Sequence, residues 1–229
     1  MERFNRLINL IGTEKYHLLS QKKVIVFGLG GVGSFAAEVL VRNGIGKIHV
    51  VDFDKVEITN VNRQLLALEN TIGQYKTDVF AERALAINPK LKLVVHQTKV
   101  DATNVSLILG DKFDYVADCI DDLKAKVAIA KYCLDNSISF ISSMGFANKM
   151  KPEMIKVAKL NQTSVCPMAK TMRRDLKIAG YSLNFPVVFS EEKPNDVLDK
   201  NILGSNAYCP SVAGIILAAK IINDLIGEQ

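Results

Sequence analysis

At 229 residues, 48% hydrophobic and 23% charged, the chain can bury one large core, which excludes intrinsic disorder and fibrous architectures. Six prolines and 14 glycines without a period exclude a collagen repeat or a low-complexity linker, and no repeat of roughly 20 to 50 residues suggests a solenoid. Lys and Arg outnumber Asp and Glu 29 to 24, a net charge of +5 that suits a nucleic-acid partner and an enzyme of anionic metabolites equally well.

The elements alternate along the chain. The β-branched run 23–28 ends in glycine, and apolar residues at helical spacing follow over 34–41, so strand, tight turn and helix are expected. The rhythm continues with a strand over 47–52, a helix over 75–87 stopped by Asn88-Pro89, and strands over 91–96 and 115–119. A helix over 124–134 and a strand over 138–142 complete it. Such alternation predicts an α/β, Rossmann-like, doubly wound sheet, mainly parallel. Beyond Ser143 the pattern changes to strands over 154–158 and 185–189 around a basic helix over 168–177, which should add antiparallel strands at one edge. Residues 191–206 are polar and hold Pro194 and Gly204, the best candidate for a mobile crossover loop. Ser211 then caps a helix to about Ile226, whose Ala213, Gly214, Ala218 and Ala219 permit close backbone approach. No linker divides the chain, so 1–229 is expected to be one domain, with a nucleotide-binding portion over about 20–143 and a substrate portion over about 144–229.

The four cysteines, Cys119, Cys133, Cys166 and Cys209, form no Cys-x-x-Cys pair, and three histidines add little, so no structural zinc is expected. Residues 1–10 carry Arg3 and Arg6 without an apolar segment or cleavage site. The apolar run 212–219 is broken by Lys220, Asn223 and Asp224, short of the ~20 residues a bilayer needs. A cytoplasmic protein with free thiols, a buried C-terminal helix and no membrane association is expected.

Gly28-Leu29-Gly30-Gly31-Val32-Gly33 satisfies G-x-G-x-x-G between a predicted strand and a predicted helix. There Gly28 makes the turn, Gly30 and Gly31 let backbone approach a phosphate, and Gly33 admits the helix onto the strand, while the helix N-terminus offers amides and positive dipole. Asp52 stands 24 residues beyond Gly28, where an acidic side chain receives ribose hydroxyls. An adenine nucleotide is thus expected, with a nicotinamide oxidoreductase as the default and nucleotidyl transfer as its competitor. Asp54, Asn60, Arg63, Gln64 and Lys76 follow on the same sheet edge. Arg63 and Lys76 are cations that a dinucleotide does not need and a triphosphate does, the alternative for each being a solvated side chain. Asp118, Asp121 and Asp122 invite magnesium shared with phosphate oxygens, or one of the latter two caps the next helix, or both hold.

Taken together, Arg3-Phe4-Asn5-Arg6, the glycine turn, Asp52-Phe53-Asp54, Asn60-Val61-Asn62-Arg63-Gln64, Gly73 with Lys76, Ile87-Asn88-Pro89 and Asp118-Cys119-Ile120-Asp121 resemble the ordered motifs of the ThiF/MoeB/HesA adenylating enzymes, relatives of ubiquitin-activating enzymes. The resemblance implies a homodimer that adenylates a carboxylate with ATP and Mg2+. It implies Asp52 on the ribose, Asn60, Arg63 and Lys76 on the phosphates, Asp121 on the metal, and Arg6 reaching into the partner subunit's site. Branches that activate sulfur-carrier proteins usually hold zinc on two Cys-x-x-Cys pairs, absent here. Ser143-Met144-Gly145, Asn148-Lys149-Met150-Lys151-Pro152, residues 167–177 and Pro210-Ser211-Val212-Ala213-Gly214 are instead similar to the tRNA threonylcarbamoyladenosine dehydratase (TcdA/CsdL) branch. That implies ATP-dependent cyclisation of a threonylcarbamoyl group in tRNA. Ala147, Lys151 and Glu153, and Cys166 depart from the branch, all on the substrate side.

The competing reading is adenylation of the C-terminal carboxylate of a ubiquitin-like sulfur carrier, and a nucleotide-binding regulator without turnover is another. Cys166 and Cys209 are then candidates for sulfur relay, or are small buried apolar residues. Lys170, Arg173, Arg174 and Lys177 are a tRNA-backbone patch or a solvated helix face.

Overall fold

The β-branched runs at 23–27 and 47–51 are buried on both faces, and a strand so enclosed belongs at the centre of an α/β sheet. The structure, a computed structural model, describes residues 2–228. Its strands are β1 (Lys23–Phe27), β2 (Lys47–Val51), β3 (Lys92–His96), β4 (Tyr115–Asp118), β5 (Phe140–Ser143), β6 (Ile155–Lys159) and β7 (Pro186–Ser190). The helices are α1 (Asn5–Ile11), α2 (Thr13–Gln21), α3 (Gly33–Arg42), α4 (Lys76–Ile87), α5 (Val105–Ile108), α6 (Leu123–Asp135), α7 (Pro167–Ile178) and α8 (Tyr208–Leu225).

One sheet runs in the order β3-β2-β1-β4-β5-β7-β6. The chain winds outward from β1 to β3, then restarts at β4 on the other side of β1 and winds outward again. The switch point between β1 and β4 is where doubly wound sheets bind ligands. The antiparallel addition expected at the C-terminal edge is the β6–β7 pair, with β7 itself parallel to β5. Lys156 and Lys159 punctuate the edge strand β6, the charge pattern that discourages strand addition there.

Two apolar cores lie on the two faces. One packs α2, α3, α4 and α8 on the sheet, and the other packs α5, α6 and α7. The N-terminal helices α1 and α2 and the short α5 were not expected from periodicity. Among the described residues α8 is the one helix long and apolar enough to span a bilayer. Its Ala213, Gly214 and Ala218 are buried against α3 and the sheet, as the sequence led us to expect, and Leu217 with them, whereas Ala219 is exposed. A Cβ at Gly214 would lie 2.2 Å from the Val32 carbonyl oxygen, so only glycine lets α8 press on the start of α3.

Ser211 does not cap α8. The helix begins at Tyr208, and the Ser211 hydroxyl, already inside it, donates back to the carbonyls of Ala207 and Tyr208 at 2.6 and 3.0 Å. Proline at 210 marks the first turn, where its missing N–H has no helical partner to lose.

Candidate nucleotide site

The C-terminal ends of β1, β2 and β4 open onto a cavity of about 460 Å3. Gly28, at φ +85, turns the chain out of β1. A Cβ on Gly33 would sit 1.8 Å from the Gly28 carbonyl oxygen, so α3 can start this close to the strand only with glycine at that position. Gly33 is therefore a packing residue outside the cavity, while Gly28, Gly30 and Gly31 line it. The N-terminus of α3 meets the cavity there, an anion site by its amides and dipole.

Asp52 follows β2 and is buried. Its carboxylate accepts the Leu29 amide at 2.6 Å and the Asp54 amide at 2.8 Å. Burial pushes its pKa up, against the pull of those two amides and of Lys76. Backbone thus fixes the orientation of this acceptor, whose remaining lone pairs are free for hydroxyl donors.

Lys76 is not a solvated helix-start residue. It is 5% exposed and its ammonium stands 2.9 Å from Asp54 Oδ2. Arg63 is half-buried, and its guanidinium donates to the Thr59 carbonyl and to Asn62 Oδ1 at 2.7 and 2.9 Å. Buried Asn60 accepts the Glu57 amide at 3.2 Å and so holds the turn that presents Arg63. Gln64 Oε1 is buried in the cavity wall without a hydrogen-bond partner among the described residues, an acceptor that a ligand donor would satisfy.

The three carboxylates at the end of β4 divide their work, two serving the scaffold. Asp118 is 1% exposed and lies 2.8 Å from the ammonium of Lys126, itself 0% exposed, with the Ser142 hydroxyl donating at 2.5 Å. Asp122 caps α6 by accepting the Ala125 amide at 3.0 Å. Asp121 alone is left, exposed, lining the cavity and without a hydrogen bond or ion pair among the described residues. No group of three metal-binding side chains occurs among the described residues. One oxygen donor beside phosphate-binding groups does suit magnesium, which takes one or two carboxylates and completes its shell with phosphate and water oxygens.

Four cations, Lys55, Arg63, Lys76 and Lys99, line the cavity against five carboxylates, Asp52, Asp54, Glu57, Asp121 and Asp122. Lys55 and Lys99 were missed in the sequence. Lys99 lies over the Phe53 ring at 5.6 Å and Lys55 over Tyr75 at 4.9 Å. Lys99 follows β3 by three residues, so its place on the sheet's C-terminal edge was the available signal. Of the far wall, Met144, Gly145, Met168 and Pro210 fall in the stretches similar to the dehydratase branch, whereas Phe146 and residues 203–205 carried no sequence signal.

Arg6 lies on α1, exposed and outside the cavity of its own chain. Of the departures from the branch pattern, only Ala147 lines the cavity. Lys151 and Glu153 sit at the turn before β6, and Cys166 is buried at the start of α7. Cys209 is also buried, and burial raises its thiol pKa, so both cysteines match small core residues better than exposed thiolates.

The basic patch on α7 is also corrected. Arg173 turns inward and donates to the Thr163 carbonyl at 3.0 Å and to the Thr163 hydroxyl. The exposed basic positions are Lys170, Arg174 and Lys177, spaced i, i+4, i+7 on one face, with Arg174 2.8 Å from Asp175.

This fold and cavity define an α/β nucleotide-binding protein whose site gathers cations and one free carboxylate for a polyphosphate. The chain belongs to the ThiF family, whose profile matches residues 4–229. It is 38% identical over 244 residues to the tRNA threonylcarbamoyladenosine dehydratase of Bacillus subtilis (strain 168), across 100% of this chain and 96% of that one. It is 38% identical over 176 residues to the Escherichia coli (strain K12) enzyme of the same name, across 77% and 66% of the two chains. Crystal structures of the E. coli dehydratase TcdA with AMP and with ATP match at TM-scores of 0.94 and 0.93 and 31% identity, covering 99% of this chain and 94% of theirs.

Proposed function

We propose that the chain is an ATP-dependent tRNA threonylcarbamoyladenosine dehydratase, acting in the cytoplasm on tRNA that carries the threonylcarbamoyl group. The end-to-end likeness to the B. subtilis dehydratase carries the reading. The cavity supplies the chemistry it requires. A carboxylate oxygen is too poor a leaving group for the neighbouring ureido group to displace. Transfer of AMP from ATP, with pyrophosphate leaving, makes a mixed anhydride; ring closure then expels AMP, and the net change is loss of water. No protein nucleophile is needed, so positioning and charge neutralisation are the enzyme's contribution.

In this reading Asp52 accepts the ribose hydroxyls, the start of α3 faces the phosphates, and Lys76 and Arg63 neutralise charge as pyrophosphate leaves. Asn60 and Gln64 complete the phosphate wall. Four cations against five carboxylates cannot balance a tetra-anionic nucleotide, so a divalent cation is called for. Asp121 would hold magnesium, which screens the phosphates and polarises the bond that breaks. Arg6 acts in the partner subunit's site of a homodimer.

Pyrophosphate release measured with threonylcarbamoyl-modified tRNA, unmodified tRNA and a ubiquitin-like carrier tests the substrate. Stimulation by modified tRNA alone is expected; stimulation by the carrier alone overturns the reading in favour of a carrier-activating enzyme. For the shared site, Arg6→Ala and Lys76→Ala should each be nearly inactive and regain activity when mixed, because one site of the heterodimer keeps both groups. Absent complementation with verified subunit exchange contradicts it.

A further inference from the structure

The crossover from β7 to α8 brings residues 203–205 into the wall of the nucleotide cavity. Both ends of its loop rest on one side chain and backbone, those of Asn148. The Asn148 amide donates to the Gly204 carbonyl at 2.8 Å, and the Gly204 amide donates to Asn148 Oδ1 at 2.7 Å. At the other end the Asn195 amide and side-chain Nδ2 donate to the Asn148 carbonyl at 2.8 and 3.0 Å.

We propose that Asn148 is a positioning residue that clasps this crossover, keeping the 203–205 wall in place so that an activated carboxylate meets its own neighbouring nucleophile rather than water. The proposal rests on the dehydratase reading given above. An acyl adenylate attacked by water returns the carboxylate and AMP, so an unclasped wall consumes ATP without dehydrating the nucleoside.

Three features set the clasp apart from an ordinary loop contact. Asn148 has φ +58, a left-handed conformation in which glycine is the easiest residue. Asparagine tolerates it, and here its side chain makes the bond to Gly204 that glycine could not. Gly204 is fitted in turn, since a Cβ there would lie 3.0 Å from Asn148 Oδ1.

The flanking bonds fasten the same two segments. Buried Glu192 accepts the amides of Met150 and Lys151, each at 2.9 Å to Oε2, and Asn195 Nδ2 at 2.6 Å. Burial would raise its pKa, and these donors hold it below the usual carboxylate value. The buried Lys149 ammonium donates to the Glu192 carbonyl, and Asn206 Nδ2 donates to the Lys149 carbonyl at 2.6 Å. On the phosphate side, Asn62 Nδ2 donates to the Ser205 carbonyl at 3.1 Å, tying the wall to the segment that carries Arg63.

The test compares the native enzyme with Asn148→Gly, which keeps the backbone conformation and loses the side chain, and Asn148→Asp, which keeps an acceptor. Two quantities are read: AMP released per nucleoside dehydrated, and hydrogen exchange of the Gly204 amide. Asn148→Gly should raise the AMP released in excess of one per dehydrated nucleoside about fivefold and speed the exchange by a similar factor, the change that one lost hydrogen bond of ordinary strength makes in an opening equilibrium. Asn148→Asp should restore both. Unchanged exchange in Asn148→Gly overturns the clasp; faster exchange with an unchanged ratio overturns its role against water. If the native enzyme consumes ATP without dehydrating the nucleoside, the dehydratase reading and the water-excluding role fall together, and the exchange still decides whether the clasp exists.

Discussion

The two halves of the cavity wall are built from different chemistry. On the β1–β4 side the lining carries nine charged side chains, several of them already bonded to a neighbour, as Lys76 is to Asp54 and Asp122 to the α6 amide. On the side formed after β5 the lining is uncharged: Ser143, Met144, Gly145, Phe146, Ala147, Met168, residues 203–205 and Pro210. The first half is equipped for a polyphosphate and fixes its charges before the ligand arrives, while the second shapes a space by apolar and small groups. Chemistry is thus concentrated on one side and fit on the other, and substitutions should report the difference.

The largest effect is expected where a charge serves structure alone. Lys126→Met leaves Asp118 buried and uncompensated and should cost about 3–5 kcal/mol of stability by denaturant titration. A change below about 1 kcal/mol would show that the pair is solvated in solution. Three residues away from Asp118, Asp121 is exposed and carries no side-chain bond among the described residues, so Asp121→Ala should leave stability unchanged and lower turnover on the order of 10²–10³-fold at limiting magnesium. Native turnover in that variant would remove Asp121 from the metal site. The contrast between an aspartate that ends β4 and one that follows it is the sharpest available separation of scaffold from site.

A third prediction concerns two histidines that do not line the cavity. His49 is 3% exposed, its Nδ1 lies 3.0 Å from His96 Nε2, and its Nε2 has no partner among the described residues. Burial first, then Lys23, His96 and Lys47, lower its pKa to about 4, with Asp111 opposing. His96 is lowered as well, chiefly by burial. Because the folded pKa lies below the unfolded value, the unfolded state binds more protons between them. Stability is then complete above about pH 6.5 and falls toward pH 4, by at most about 3 kcal/mol for His49. Urea midpoints at pH 7.5 and 5.0 should differ in the native protein and differ less in His49→Gln, where His96 alone of the pair is left to titrate. An equal pH dependence in both proteins would place the titration elsewhere.

The smallest effect belongs to α7. Lys170→Ala or Lys177→Ala should reduce the salt dependence of tRNA binding by about one unit of slope per lost phosphate contact. Arg173→Ala should instead cost about 1 kcal/mol of stability through its lost Thr163 bonds and leave the slope alone. A slope that responds only to Arg173 would reverse the assignment of faces.

The same contrast explains what could be read from the sequence. The β1–β4 half was legible because its groups follow strand ends at fixed offsets: the glycine turn after β1, Asp52 after β2, Asp121 after β4. Periodicity also located all seven strands, including the two added at the edge. It could not tell Asp118 from Asp121, because only tertiary structure brings Lys126 and Ser142 to the first. Arg173 looked like its neighbours until the turn containing Thr163 was placed beneath it. The uncharged wall was legible only in part: Met144, Gly145, Met168 and Pro210 lie in stretches similar to the dehydratase branch, but Phe146 or Leu203 in a sequence looks like core. Its residues converge only through the crossover, whose bonds to Asn148 span 47 and 56 positions.

The most direct measurement is mass spectrometry of nucleosides after incubating threonylcarbamoyl-modified tRNA with the protein, ATP and magnesium. The account predicts that the modified nucleoside loses the mass of one water, that the loss requires ATP, and that AMP and pyrophosphate accumulate with it. An unchanged nucleoside in the presence of active, ATP-consuming protein would contradict it.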